Sequence, residues 1–247
     1  MGNSSNDSNG KSKRRAMTIA IAAPIVIFAS IFVAWAFVRK KRKNIQRFPT
    51  RSTSMGALHG GKMALHRLAD YREARENAAT LDRAETELKN LLEEEKLDFE
   101  QLQRTVAKLE MSGKEDDAVE VLEKAVKVHE EKQQEAYEIQ MLLVEMLIYK
   151  GDFEKAFNFE CLKHEEIADA RRPLYKGIIN IMLGHPEQAK KCWEDFKDIQ
   201  RHFQWPPSLG EDTQVLDNDI TDFKEFENIV KLLKDDIYKA DAKKKQK

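Results

Sequence analysis

Residues Ala16–Val38 read AMTIAIAAPIVIFASIFVAWAFV, an uncharged apolar run in which only Thr18 and Ser30 are polar. A helix rises about 1.5 Å per residue, so such a run matches the roughly 30 Å hydrocarbon core of a bilayer. A single transmembrane helix is expected here. Pro24 falls in its first half, where it would bend the span without ending it, and Trp35 suits a headgroup layer. A cleavable signal peptide is the rival reading, because Ala34-Trp35-Ala36 matches the small-residue cleavage pattern. Signal cores, however, are usually about 7–15 residues long, and the basic block that follows opposes translocation. Lys11, Lys13, Arg14 and Arg15 precede the run, while Arg39, Lys40, Lys41, Arg42 and Lys43 follow it, with Arg47 and Arg51 beyond. The heavier basic flank stays on the cytosolic side, so the domain after the anchor is expected to face the cytosol.

The ends of the chain are basic and its middle is mixed, with a formal net charge of −1. Basic ends suit an anionic membrane surface, and Arg39 to Lys43 are the residues expected to meet it. No basic helix with interleaved aromatics occurs in the domain, so a nucleic-acid partner is not expected. Cys161 and Cys192 form no dense spacing pattern, which fits a reducing compartment and ordinary buried thiols. Residues 1–15 are Ser/Asn/Gly-rich and basic, and read as a disordered tail. The myristoylation motif wants Ser or Thr at the sixth position, where this chain has Asn6. Residues 39–62 read as a basic juxtamembrane linker punctuated by Pro49, Gly56, Gly60 and Gly61. Within it, Gly56 to Lys62 nearly spells a phosphate-binding loop, but Met63 stands where the Mg²⁺-holding hydroxyl belongs and no strand precedes it.

From Met63 onward apolar residues recur with a period near 3.6, so the domain is all-α. Residues 63–96 read as flanking helices, with Leu65, Leu68 and Ala69, then Leu81, Ala84, Leu88, Leu91 and Leu92 on one face. Asp98 is an expected N-cap, followed by Phe99, Leu102, Val106 and Leu109 on one face up to Gly113. A second helix carries Ala118, Val119, Leu122, Ala125 and Val126. The unit recurs twice. Ile139, Leu142, Leu143, Met146 and Leu147 lead to Gly151, and Phe153, Ala156, Phe157 and Leu162 follow. Leu174, Ile178, Ile179 and Met182 lead to Gly184, and Ala189, Trp193, Phe196 and Ile199 follow Pro186. Each turn glycine precedes an alanine by five residues: Gly113 and Ala118, Gly151 and Ala156, Gly184 and Ala189.

These glycine and alanine positions resemble the tetratricopeptide repeat (TPR), a helix pair of about 34 residues with small residues in and after its turn. The resemblance covers residues 97–200. Glu160 and Lys163 depart from it where the family has apolar residues, and Phe196 where the family has a small one. It implies a TPR-like α-solenoid of about three helix pairs that holds a peptide or another protein on its concave face. Aligned by the turn glycines, the positions that form a chaperone-binding carboxylate clamp in one TPR subclass are Gln103, Ala107, Leu142, Arg171 and Tyr175. Only Arg171 offers a matching charge, so that clamp is expected to be absent. The A-helix face, with Gln140, Glu145, Arg171 and Tyr175, is the candidate partner surface.

Residues 201–218 contain Trp205-Pro206-Pro207, a loop no helix can contain. Residues 219–238 read as a capping helix with Ile220, Phe223, Phe226, Val230, Leu233 and Ile237 inward, shielding the last repeat. Residues 239–247 form a basic tail. Lys244 and Lys245 resemble the dilysine retrieval signal of endoplasmic-reticulum membrane proteins, which leans the localisation towards that organelle; mitochondrial and plastid membranes also accept such an anchor.

No catalytic constellation is present. Cys161 and His164 lie at i and i+3 with no further ligand at a suitable spacing, so neither a metal nor a cofactor is expected. The reading is a non-catalytic, single-pass, membrane-anchored TPR-like scaffold for protein–protein interaction. The alternative is a structural tether whose basic linker and tail engage lipid surfaces.

Overall fold

The computed structural model describes residues 51–77, 79–203, 220 and 222–244; Ala16–Val38, Arg39 to Lys43, the Trp205 loop and Lys245 lie outside them. Among the described residues every regular element is helical, and no helix is long and apolar enough to cross a membrane. The order is α1 (Arg51–His59), α2 (Gly61–Glu76), α3 (Ala79–Asp82), α4 (Ala84–Leu92), α5 (Phe99–Ser112), α6 (Glu115–Val128), α7 (Gln133–Lys150), α8 (Phe153–Phe157), a 3-10 turn at Glu160–Leu162, α9 (Arg171–Leu183), α10 (Pro186–Phe203) and α11 (Phe223–Lys244).

Local signals set the ends of the central helices. Asp98 Oδ1 accepts from the Gln101 N–H at 3.0 Å, the expected cap of α5. Gly113, Gly151 and Gly184 end α5, α7 and α9 with φ of 76°, 89° and 85°. After each glycine the chain reaches back into the last turn, Lys114 to the Leu109 carbonyl, Asp152 to Leu147 and His185 to Asn180. This arrangement satisfies carbonyls that a helix end leaves orphaned.

α5, α7 and α9 pack side by side, and α7 is buried on nearly every side. Its run MLLVEMLIY therefore has no solvent face to alternate with. The most closely packed neighbours are α9 with α10, α6 with α7, α1 with α2 and α4 with α5. α5 and α6, expected as the first hairpin, splay apart beyond their shared turn. α4, expected as a flanking helix, is the true partner of α5, and it supplies Ala84, Leu88 and Leu92 to the core. In the second expected unit the second helix is cut short: α8 stops at Phe157, Asn158 turns its amide onto the Glu154 carbonyl, and Phe159 is extended. Glu160 and Lys163 pair on the surface at 3.0 Å, so no apolar face remains to carry the helix on.

Three further differences concern the covering elements. Residues 51–59, expected in the linker, are helix α1 and bury Met55 and Leu58 in the main core. α2 is inverted. Leu65 and Leu68, expected inward, are 43% and 56% exposed, while Arg67 and Asp70 are buried. The reason is electrostatic: buried carboxylates and carbonyls face α2, and only its charged side can pair with them. α11 keeps the expected inward residues Phe226, Val230, Leu233 and Ile237, with Ile220 buried just before it, but extends to Lys244 through part of the expected tail. Rather than shielding only the last repeat, it runs past all three turns. Phe226 stacks on Trp193 with ring centroids 4.9 Å apart, Lys234 Nζ donates to the Met182 carbonyl, Ile237 lies against Gly151, and Lys244 reaches Glu115.

Candidate partner-binding face

α1, α2 and α11 cover the face of α5, α7 and α9 on which Gln103, Ala107, Leu142, Arg171 and Tyr175 were aligned. Three of these positions converge. Gln103, Leu142 and Arg171 line a cleft of about 220 Å³ together with Met63 and His66 of α2 and Phe99 of α5. Ion pairs flank it, Lys62 to Glu100 at 2.7 Å and Arg171 to Glu138 at 2.8 Å. Ala107 and Tyr175 are buried.

The four residues expected on the partner surface therefore divide. Arg171 lines the cleft, held between Glu138 and, at 2.6 Å, Asp169. These carboxylates outweigh burial and raise its pKa further. Gln140 turns its Oε1 to the Cys161 N–H at 3.1 Å and pins the 3-10 turn. Glu145 and Tyr175 are interior, which corrects their assignment to an accessible surface. Arg67 is the cause: α2 carries this cation inward, with Nη2 2.7 Å from Glu145 Oε1 and Nη1 2.8 Å from the Gln103 carbonyl.

Glu145 also accepts from the hydroxyls of Tyr149 at 2.8 Å and Tyr175 at 2.9 Å. Burial works to raise its pKa, but Arg67, His59 and the two hydroxyls outweigh it, and the carboxyl titrates below the usual range. Because Tyr175 gives its proton to Glu145, its oxygen accepts from His59 Nε2 at 3.2 Å. Burial lowers the His59 pKa to about 4, so the imidazole is neutral.

A second buried cluster lies at the turn end of the helices. Arg51 donates Nε to Glu110 Oε1 at 2.7 Å, Nη1 to the Tyr149 carbonyl at 2.8 Å and Nη2 to Glu115. The Ser52 N–H, free at the start of α1, donates to Glu110 Oε2 at 3.2 Å. Burial lifts the Glu110 carboxyl to about 7 despite its arginine, with Glu115 adding to the shift. Glu145, with a cation and two hydroxyls of its own, goes the other way. Lys244 approaches Glu115 Oε2 at 2.6 Å and Asp116 at 3.2 Å, so this lysine of the expected retrieval signal is tied to the fold.

Gly56 and Cys161 have structural explanations. Gly56 lies inside α1, where a Cβ would stand 2.8 Å from Cβ and Cγ of Arg67; close helix approach, rather than phosphate, accounts for it. Burial pushes the Cys161 thiol up to about 12. Among the described residues no group of three or more His, Cys, Asp or Glu could hold a metal ion. Sequence reading missed Arg51, Arg67, His59 and Glu110. The available signal was a carboxylate inside an apolar helix, at Glu145 and Glu110, which demands a cation from elsewhere in the chain.

Comparison with protein-family models, with curated proteins and with solved structures finds no match for this chain.

Proposed function

We propose that this chain is a membrane-anchored, TPR-like helical scaffold that recruits a protein segment to the inner face of its A-helices and performs no catalysis itself. The observation that carries the reading is the open cleft: Gln103, Leu142 and Arg171, the positions a TPR uses for ligands, meet around one cavity. Its walls mix Phe99, Leu142 and Met63 with paired charges, a surface suited to a peptide with both apolar and polar side chains. The anchor reading rests on Ala16–Val38, and the cytosolic orientation and endoplasmic-reticulum location rest on the flanking bases and terminal lysines. Engagement of Lys244 by Glu115 and Asp116 favours the scaffold over a lipid tether, since that tail lysine already has protein partners.

The test has two arms. Protease treatment of intact organelle vesicles should digest a C-terminal tag, and protection of that tag would place the domain in a lumen. A photo-crosslinker at Gln103 of the full chain should capture a defined protein in cells, and Met63→Glu should abolish that product while leaving the helical signal intact. The scaffold reading is lost if a crosslinker at Lys124, exposed on α6, captures the same product with the same yield.

A further inference from the structure

We propose that the outer face of α2, centred on Leu65 and Leu68, seats the helical domain on the anionic bilayer that holds its own anchor. This rests on the anchor reading of Ala16–Val38, and it adds a second contact between the chain and the same membrane.

Among the described residues, the large apolar side chains left exposed are Leu65, Leu68, Val128, Phe157 and Tyr238. The last three stand singly on α6, α8 and α11, as scattered surface residues do. Leu65 and Leu68 differ: three apart on one helix, they lie side by side, and Ala69 beside them is exposed as well. α2 cannot turn to bury them, because its opposite side holds Arg67 on Glu145 and Asp70 on Arg104. The stripe is therefore a fixed feature of the surface, and its cover comes from outside the domain.

Three observations choose a bilayer as that cover. The first is the tether. Gly60 alone separates α1 from α2, and only residues 39–50 separate α1 from the apolar run. Such a segment reaches about 40 Å at full stretch. With the run in the membrane, the face of α2 meets lipid at high effective concentration, so a contact too weak to bind alone suffices. The second is area. Leu65 and Leu68, at 43% and 56%, together expose about as much surface as one whole leucine. A stable contact between two copies buries about 1,200–2,000 Å², which this face does not approach. The third is charge. In helical projection Arg72 falls between the two leucines, with Lys62 and Arg75 at the edges of the stripe, all three exposed. Their alkyl stems can lie along lipid while their heads reach phosphates. Glu73 and Glu76 are also exposed at the far end of α2, and Arg39 to Lys43 with Arg47 supply the positive excess.

Docking on this face leaves the cleft open. Each residue turns the helix by about 100°, so His66 and Met63, which line the cleft, stand about 100–160° around α2 from the leucines. Lipid contact and capture of a peptide therefore use different flanks of one helix.

The experiment uses the full chain reconstituted into vesicles, with a photo-crosslinker at Ala69. Mass spectrometry should find the probe joined to lipid, in clear excess over the same probe at Lys124, exposed on α6. Phosphatidylserine in the vesicles should raise the yield over phosphatidylcholine alone. Leu65→Gln with Leu68→Gln should lower it by about tenfold, the share expected from one leucine's worth of apolar burial. Both positions are exposed, so the helical signal should be unchanged. Equal yields at Ala69 and Lys124, a yield indifferent to phosphatidylserine or to the glutamine pair, or a probe joined to a second copy instead of lipid each overturns the proposal. Alkaline carbonate separates it from the anchor reading. A chain stripped from the vesicles that still carries lipid at Ala69 sinks the anchor alone; a chain that stays without that product sinks this inference alone.

Discussion

The Tyr175 hydroxyl donates to Glu145 Oε2 across 2.9 Å, with both residues buried. The same oxygen accepts from His59 Nε2 at 3.2 Å, so one phenol joins α9 to α7 and to α1. Tyr175→Phe keeps the ring and removes both contacts. A hydrogen bond to a charged group contributes about 1.5–3 kcal/mol, and the imidazole N–H is stranded as well. Urea unfolding should show a lower midpoint at unchanged slope, equivalent to a loss of about 2–3 kcal/mol. A loss under about 0.5 kcal/mol would mean that water takes the place of the hydroxyl.

Gly56→Ala offers a test in which two effects have opposite sign. In an ordinary helix interior this change stabilises by about 1 kcal/mol through backbone entropy. Here the new Cβ would stand 2.8 Å from Cβ and Cγ of Arg67, atoms near the backbone that cannot swing aside without moving the guanidinium off Glu145. Overpacking costs about 1–3 kcal/mol and should win. The thermal midpoint should fall, and exchange should rise first in α1.

Much of the central layer was legible because its signals are local. Asp98 as a cap, the three turn glycines and the inward stripe of Phe226, Val230, Leu233 and Ile237 depend only on neighbours within a turn or two. α1 and α2 were not legible, because their helical phase is fixed by partners far along the chain. Arg51 pairs with a glutamate 59 residues away and Arg67 with one 78 residues away. Periodicity reported the leucines of α2 correctly as one stripe but could not say that the charged stripe faces in. The cleft fell between these cases. Its TPR-aligned residues were identified, whereas the wall contributed by Met63 and His66 depends on the inversion of α2.

The two cysteines should differ in reactivity. Cys161 is buried, its thiol pushed up to about 12, whereas Cys192 is half-buried with its pKa raised by burial to a lesser degree. Alkylation proceeds through the thiolate. Iodoacetamide at pH 8 should label the native protein slowly at Cys192 and not at Cys161, and both in urea. Mass spectrometry of the native digest checks this, and early labelling at Cys161 would show that the 3-10 turn opens readily.

Glu110, beside the first residue of α1, and His59, its last residue, give the fold opposing pH dependences. Glu110 moves from its ordinary value near 4.5 to about 7, chiefly through burial. The folded state therefore holds its proton more tightly, and this contribution is full below pH 4.5 and lost as pH rises through 7. His59 moves from 6.5 to about 4, again chiefly through burial, against Glu145 and Asp169 and with Arg67 and Arg171. Its contribution is full above pH 6.5 and lost as pH falls towards 4. Across the shared window the two slopes offset each other. Glu110→Gln leaves the histidine unopposed, so stability should fall by about 2 kcal/mol between pH 7 and pH 5, at about 1.4 kcal/mol per pKa unit. His59→Gln should do the reverse and lose a similar amount between pH 5 and pH 7. Urea unfolding of the three proteins at both pH values measures the slopes relative to wild type, which removes the carboxylates common to all. Slopes of the same sign in the two variants would show that these groups do not titrate with the folding of α1 against α5 and α9.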